Sequence, residues 1–183
     1  CGPQGCSSMY SAGYGGSASD GSYYEHKVYG DFRNPDELGA KGAATGDKAG
    51  GRIVVQTAWL KLDGSIESKG YYSCSGGTVN VKVAGGEVTG SGRIDVSVRS
   101  GGNSYGGGGG RAAVTGYSKI DPNVIKNAVM HGSQGTGAAP GTFFYESRAE
   151  EYGSLVVRSP FSTDRTTSAS GTAGPLCNLN TGN

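Results

Sequence analysis

The sequence is poor in most of what catalysis or a large core requires. Its 183 residues include two histidines, His26 and His131, one tryptophan, Trp59, and four phenylalanines. Neither histidine stands at a metal-site or triad spacing. No Gly-x-Ser-x-Gly elbow is present. The run Gly106 to Gly110 lacks the Lys-Ser/Thr that completes a phosphate loop. No cofactor, metal or catalytic residue is therefore expected. No apolar run approaches the ~20 residues of a membrane helix, so membrane insertion is not expected. Sixteen basic residues face fifteen acidic ones, with no block of one sign. That leaves no electrostatic footprint for nucleic acid. No N-x-Ser/Thr sequon occurs, and N-glycosylation is not expected.

Glycine is what the chain has in excess. It supplies 36 of 183 residues, against a usual share of about 7%. The glycines follow no collagen period, and short alternating apolar runs separate the chain from a disordered linker. A glycine-led phrase recurs: Gly51 to Thr57 (GRIVVQT), Gly77 to Val83 (GTVNVKV), Gly110 to Gly116 (GRAAVTG) and, more loosely, Gly141 to Ser147 (GTFFYES). Starts roughly 26 to 33 residues apart suggest one supersecondary unit stacked on itself. Ile53, Val55 and Thr57 share one face of the first phrase; Val79, Val81 and Val83 share one face of the second. Ala112 and Val114 take the same places in the third. A second, shorter strand follows in Leu62 to Ser68, Val88 to Ser97 and Tyr152 to Arg158.

The pattern predicts an all-β chain, a parallel β-helix or solenoid of about four irregular rungs. Stacked strands lie ~4.8 Å apart, so corners meet at backbone distance and favour glycine. The alternative is a β-sandwich of glycine-linked hairpins; parallel stacking of the four phrases separates the two. One short helix is expected near 121–132, from the cap Asp121, Pro122 and the stop Gly132. Tyr23 to Phe32 alternates as a strand would, and Asn34 to Gly39 reads as one helical turn. The domain plan is a Gly/Ser/Tyr-rich lead-in over 1–22, a solenoid over 23–158 and a Ser/Thr-rich tail or linker over 159–183.

Four cysteines, Cys1, Cys6, Cys74 and Cys177, contain no C-x-x-C pair and fit disulfides better than zinc. Three full pairings exist; Cys1–Cys6 as a staple with Cys74–Cys177 as a clasp is the expected one. Disulfides imply an extracellular or cell-surface location. The start at Cys1, with no apolar leader, suggests a processed product or a piece of a longer chain.

Two clusters are candidates for binding. Tyr10, Tyr14, Tyr23, Tyr24, Tyr29, Tyr71 and Tyr72 exceed what a thin core buries, and tyrosine suits sugar or protein surfaces. Glu67 and Asp95 each follow the isoleucine of a second strand and would stack in register. They would form a calcium or glycan ladder, or plain charge spacing beside Arg93. Arg148 among Glu146, Glu150 and Glu151 reads as a solvated face. His131 reads as a helix C-terminal residue.

The order of phrases carries a resemblance. GGRIVV, LDGSIESKG, GSGRIDV, GGGGGRAA and YGSLVV, in this order over roughly residues 29 to 160, resemble glycine-rich modules of very large extracellular proteins of algae, ciliates, other protists and some bacteria. The resemblance implies a right-handed β-helix-like module without enzymatic role. The function expected is a structural module of an extracellular or cell-surface assembly, with copies of itself or neighbouring domains as partners and filaments as one outcome. The alternatives are a carbohydrate-binding or adhesion module using the tyrosines, and a glycan-cleaving β-helix.

Overall fold

The structure, a computed structural model, describes residues 12–18, 28–42, 46, 48–99, 106–133, 138–150 and 152–158. Cys1, Cys6, Cys177, Tyr10, Tyr23, Tyr24 and the 159–183 tail lie outside these residues.

Each glycine-led phrase opens a long strand. The first repeat contains β1 (Arg52–Thr57), β2 (Leu60–Lys61), β3 (Ser65–Glu67) and β4 (Gly70–Tyr71). The second contains β5 (Thr78–Val83), β6 (Glu87–Thr89), β7 (Arg93–Asp95) and β8 (Val98–Arg99). The third contains β9 (Arg111–Tyr117), β10 (Lys119–Ile120) and the helix α1 (Pro122–Lys126). The last contains β11 (Thr142–Ser147) and β12 (Ser154–Val156). Among the described residues the chain is all-β, with one short helix.

The four phrases lie side by side in the order β1-β5-β9-β11, each parallel to the next. Arg52, Thr78, Arg111 and Thr142 share one level of this sheet. The hairpins of a sandwich do not join these phrases. Among the described strands only β12 returns antiparallel, against β11. The shorter strands repeat the arrangement as β2-β6-β10, β3-β7 and β4-β8, again parallel. The sheets stay open, and β1 and β12 form the edges of the largest.

Glycine makes the close stacking possible. A Cβ on Gly77 would strike the Gly51 carbonyl, one on Gly110 the Gly77 carbonyl, and one on Gly141 the Gly110 carbonyl. The next residue's N–H uses that same carbonyl: Thr78 N donates to Gly51 O at 2.9 Å, Arg111 N to Gly77 O at 2.9 Å and Thr142 N to Gly110 O at 3.0 Å. The inner faces then bury Val79, Val81, Ala112, Val114 and Phe143 against Ile94 and Val96. Each large apolar side chain so buried contributes about 1.5–3 kcal/mol.

Three local expectations are corrected. The helix ends at Lys126, not near 132, because residues 128–131 join the stack instead: Val129 N donates to Ile94 O, Val96 N to Val129 O and Val98 N to His131 O. His131 therefore lies beyond the helix. The strand expected over Tyr23 to Phe32 is absent over 28–32, and residues 23–27 lie outside the described residues. The helical turn expected at Asn34 to Gly39 is also absent. Residues 28–40 instead form a strap across the outer face of the largest sheet. Side chains take the strap carbonyls that a helix would use. Asn80 Nδ2 donates to Pro35 O at 3.0 Å, Arg52 Nη1 to Asp36 O at 3.1 Å, Thr78 Oγ1 to Glu37 O at 2.6 Å and Tyr29 OH to Leu38 O at 2.8 Å. The outward side chains Thr78, Asn80 and Phe144 are consequently buried rather than exposed.

Candidate functional site

The one acidic pair that the sequence placed in register is in register. β3 and β7 align Ile66 with Ile94 and Glu67 with Asp95. The isoleucines turn into the core and set both carboxylates on one strip. That strip also carries two cations. Lys69 Nζ lies 3.0 Å from Glu67 Oε2 and 3.0 Å from Asp95 Oδ2. Arg93 Nη2 lies 2.8 Å from Glu67 Oε1 and 3.9 Å from Asp95 Oδ2. Asp95 is buried, and its Oδ1 accepts from Ser97 N at 3.1 Å and Ser97 Oγ at 2.6 Å. Two acids and two bases thus close on one another across two repeats.

The electrostatics follow. Hydrogen bonds from Arg93 and then Lys69 push the Glu67 carboxyl down to about 2. Partial burial pulls against the Lys69 ammonium, yet its bonds to Asp95 and Glu67 leave it raised. Chemically this is a salt-bridge ladder. Lys69, two residues beyond Glu67 on the same strip, was the signal missed in the sequence.

Beside the ladder a cleft of about 700 Å³ is lined by Asp63, Ser65, Ser91, Arg93, Asn127 and Arg158, among others. Its floor is a pair of stacked corners, Gly64 under Gly92. Asn127 Nδ2 donates to Ser91 O at 2.8 Å and ties the helix end to the upper corner. Arg158 Nη2 donates to the carbonyls of Ile125, Lys126 and Ala128, closing the helix C-terminus. Lys61 Nζ pairs with Asp63 at 3.1 Å.

The four described tyrosines of the candidate binding set form two ring pairs, Tyr14 with Tyr29 and Tyr71 with Tyr72. Tyr14 is fully buried against the outer face of the sheet, where its OH lies 2.6 Å from Thr78 Oγ1. Because the Thr78 hydroxyl proton goes to Glu37 O, Tyr14 is the donor in that contact. Burial raises the Tyr14 phenol above its ordinary value. Tyr29 packs on Tyr14, with ring centroids 4.9 Å apart, and burial raises it too. Tyr71 and Tyr72 are half-buried and meet edge to face at 4.0 Å. Tyr72 alone among the described non-glycine residues has a positive φ, 56°. Cys74 is buried, and its Sγ accepts the Gly42 N–H at 3.1 Å. Its expected partner, Cys177, lies outside the described residues.

Large apolar side chains remain exposed on the first repeat, Trp59 at 65% and Val54 at 43%. Among the described residues no group of histidine, cysteine and carboxylate side chains is arranged to hold a metal, and no helix is long and apolar enough to cross a membrane.

What the fold defines is a class: an all-β chain whose glycine-led repeats pair in parallel. Comparison with protein-family profiles, curated proteins and solved structures gives no match.

Proposed function

We propose that the protein is a parallel β-solenoid that serves as a non-enzymatic structural module of an extracellular or cell-surface assembly. The observation that carries this reading is the closed ladder Glu67–Lys69–Arg93–Asp95. The acid pair best placed for chemistry is spent on holding one repeat to the next. A general acid needs a raised carboxyl pKa, whereas Glu67 is pushed down to about 2. The stacked glycine corners support the same reading, since they serve repetition. The resemblance to glycine-rich surface modules points the same way, and its four cysteines suit an oxidising location.

The test is direct. Purified protein is imaged by negative-stain microscopy over a concentration series and incubated with a panel of polysaccharides. Ordered particles or filaments, with no loss of glycan chain length, are expected. Depolymerisation that Glu67→Gln abolishes would sink the reading.

A second reading, carbohydrate binding, is favoured by the cleft rather than by the tyrosines. Hydroxyl, amide and cationic groups converge there on a volume within the usual range for ligand sites. Titration with oligosaccharides, followed by the chemical shifts of Gly64 and Gly92, checks it; unmoved shifts across a broad panel would remove it.

A further inference from the structure

We infer that the first repeat, residues 51–71, is the docking face for a second copy of this chain. The inference rests on the structural-module reading and names the surface that such a module would use.

The glycines carry the argument. At several corners of the stack the neighbouring repeat leaves room only for glycine. Gly77 faces the Gly51 carbonyl, Gly92 the Gly64 carbonyl and Gly110 the Gly77 carbonyl, each too close for a Cβ. Gly51 and Gly64 hold the corresponding corners of the first repeat. A Cβ on either would meet nothing within 4 Å. Neither has a positive φ, so neither backbone conformation nor internal space calls for glycine. At these two corners the first repeat is built as though a further repeat lay against it, and among the described residues none does.

The strand edges agree. β1, β2 and β3 each end their sheets, with pairing on one side only among the described residues. Such a row of free N–H and C=O groups is a template for another chain. Trp59 and Val54 stand exposed on the same repeat, and tryptophan is a frequent anchor of protein interfaces.

A second copy is the occupant that fits. The edge calls for another β-edge, and this chain has one at the opposite end of the same sheet. β12 is paired to β11 on one side and to nothing described on the other. Placing β12 of one copy beside β1 of the next continues the five-stranded sheet. A head-to-tail contact that does not close on itself grows a row of copies rather than a dimer.

The experiment uses the full chain. Sedimentation velocity is followed over a concentration series for wild type, for the double variant Gly51→Val/Gly64→Val, for Trp59→Ser and for the surface control Val28→Ser. Thermal melts check the fold of each. Wild type and Val28→Ser are expected to associate alike. The double variant should melt as wild type does, yet need roughly tenfold or more protein to associate; Trp59→Ser should weaken association in the same direction and keeps the test open if the double variant misfolds. Association of both folded variants at the wild-type concentration would overturn this face while leaving the structural reading standing. A wild type that stays monomeric throughout would overturn both.

Discussion

At a corner of this protein, one methyl group decides whether two repeats can touch. Gly110→Ala would push a Cβ into the Gly77 carbonyl, and overpacking of that kind costs about 1–3 kcal/mol. Gly64→Ala enters open space, so its effect should stay within about 0.5 kcal/mol. Urea denaturation of the two variants measures the contrast directly. Glu67 gives a second residue-scale prediction. Its folded carboxyl sits at about 2, against an ordinary 4.5. A depressed carboxyl contributes stability that is complete above the ordinary value and is lost as pH falls toward the folded one. Stability should therefore decline between about pH 4.5 and 2, and Glu67→Gln should flatten part of that decline. Salt should reduce the difference, because Glu67 and Arg93 are both substantially exposed.

At the scale of elements, the strap separates what the sequence made legible from what it hid. Its carbonyls are satisfied by Arg52, Thr78 and Asn80 from two strands. Thr78→Val keeps the shape but strands both Glu37 O and the Tyr14 hydroxyl, at a cost of about 1–3 kcal/mol. Faster hydrogen exchange over residues 35–40 should report the loosened strap. Nothing in the strap's own sequence announced this role. Thr78 and Asn80 sit at alternate, polar places, the usual sign of a solvent face, and Asn34-Pro35-Asp36 carries a sound helix-start signal. Local propensity lost to partners that are distant in sequence. The same competition shortened α1: Val129 and His131 had apolar and cap signals suited to a helix, but the open edge of the second repeat took their backbone groups. The glycine-led strands were legible because alternation and corner chemistry are local. So was the register of Glu67 with Asp95, since each follows an isoleucine at the same offset. Tyr14 was not legible, because it is buried between the strap and the sheet by Tyr29, Thr78 and Arg111, all distant from it in sequence.

At the scale of the whole molecule, the described repeats pair side by side in chain order, and stability should be distributed along them accordingly. Phe143 lies fully buried where the last two phrases meet, and Phe143→Ala should cost about 3–5 kcal/mol. Ile66 lies in the first repeat and is only partly buried, so Ile66→Ala should cost less and act more locally. Amide exchange resolved by residue checks this: faster exchange confined to 51–71 is expected for Ile66→Ala, and global acceleration for Phe143→Ala. An array coupled through nearest neighbours behaves in that way.

The strap also acts as a gauge of assembly. Its carbonyl partners come from β1 and β5 together, and Tyr14 reaches β5 from yet another stretch of chain. The site that receives it exists only once two repeats lie side by side. A slip of β5 by one residue would turn Thr78 and Asn80 inward, leaving Pro35 O and Glu37 O with nothing to accept. The strap, which precedes the described repeats in sequence, therefore finds its full set of partners only where β1 and β5 lie in this register.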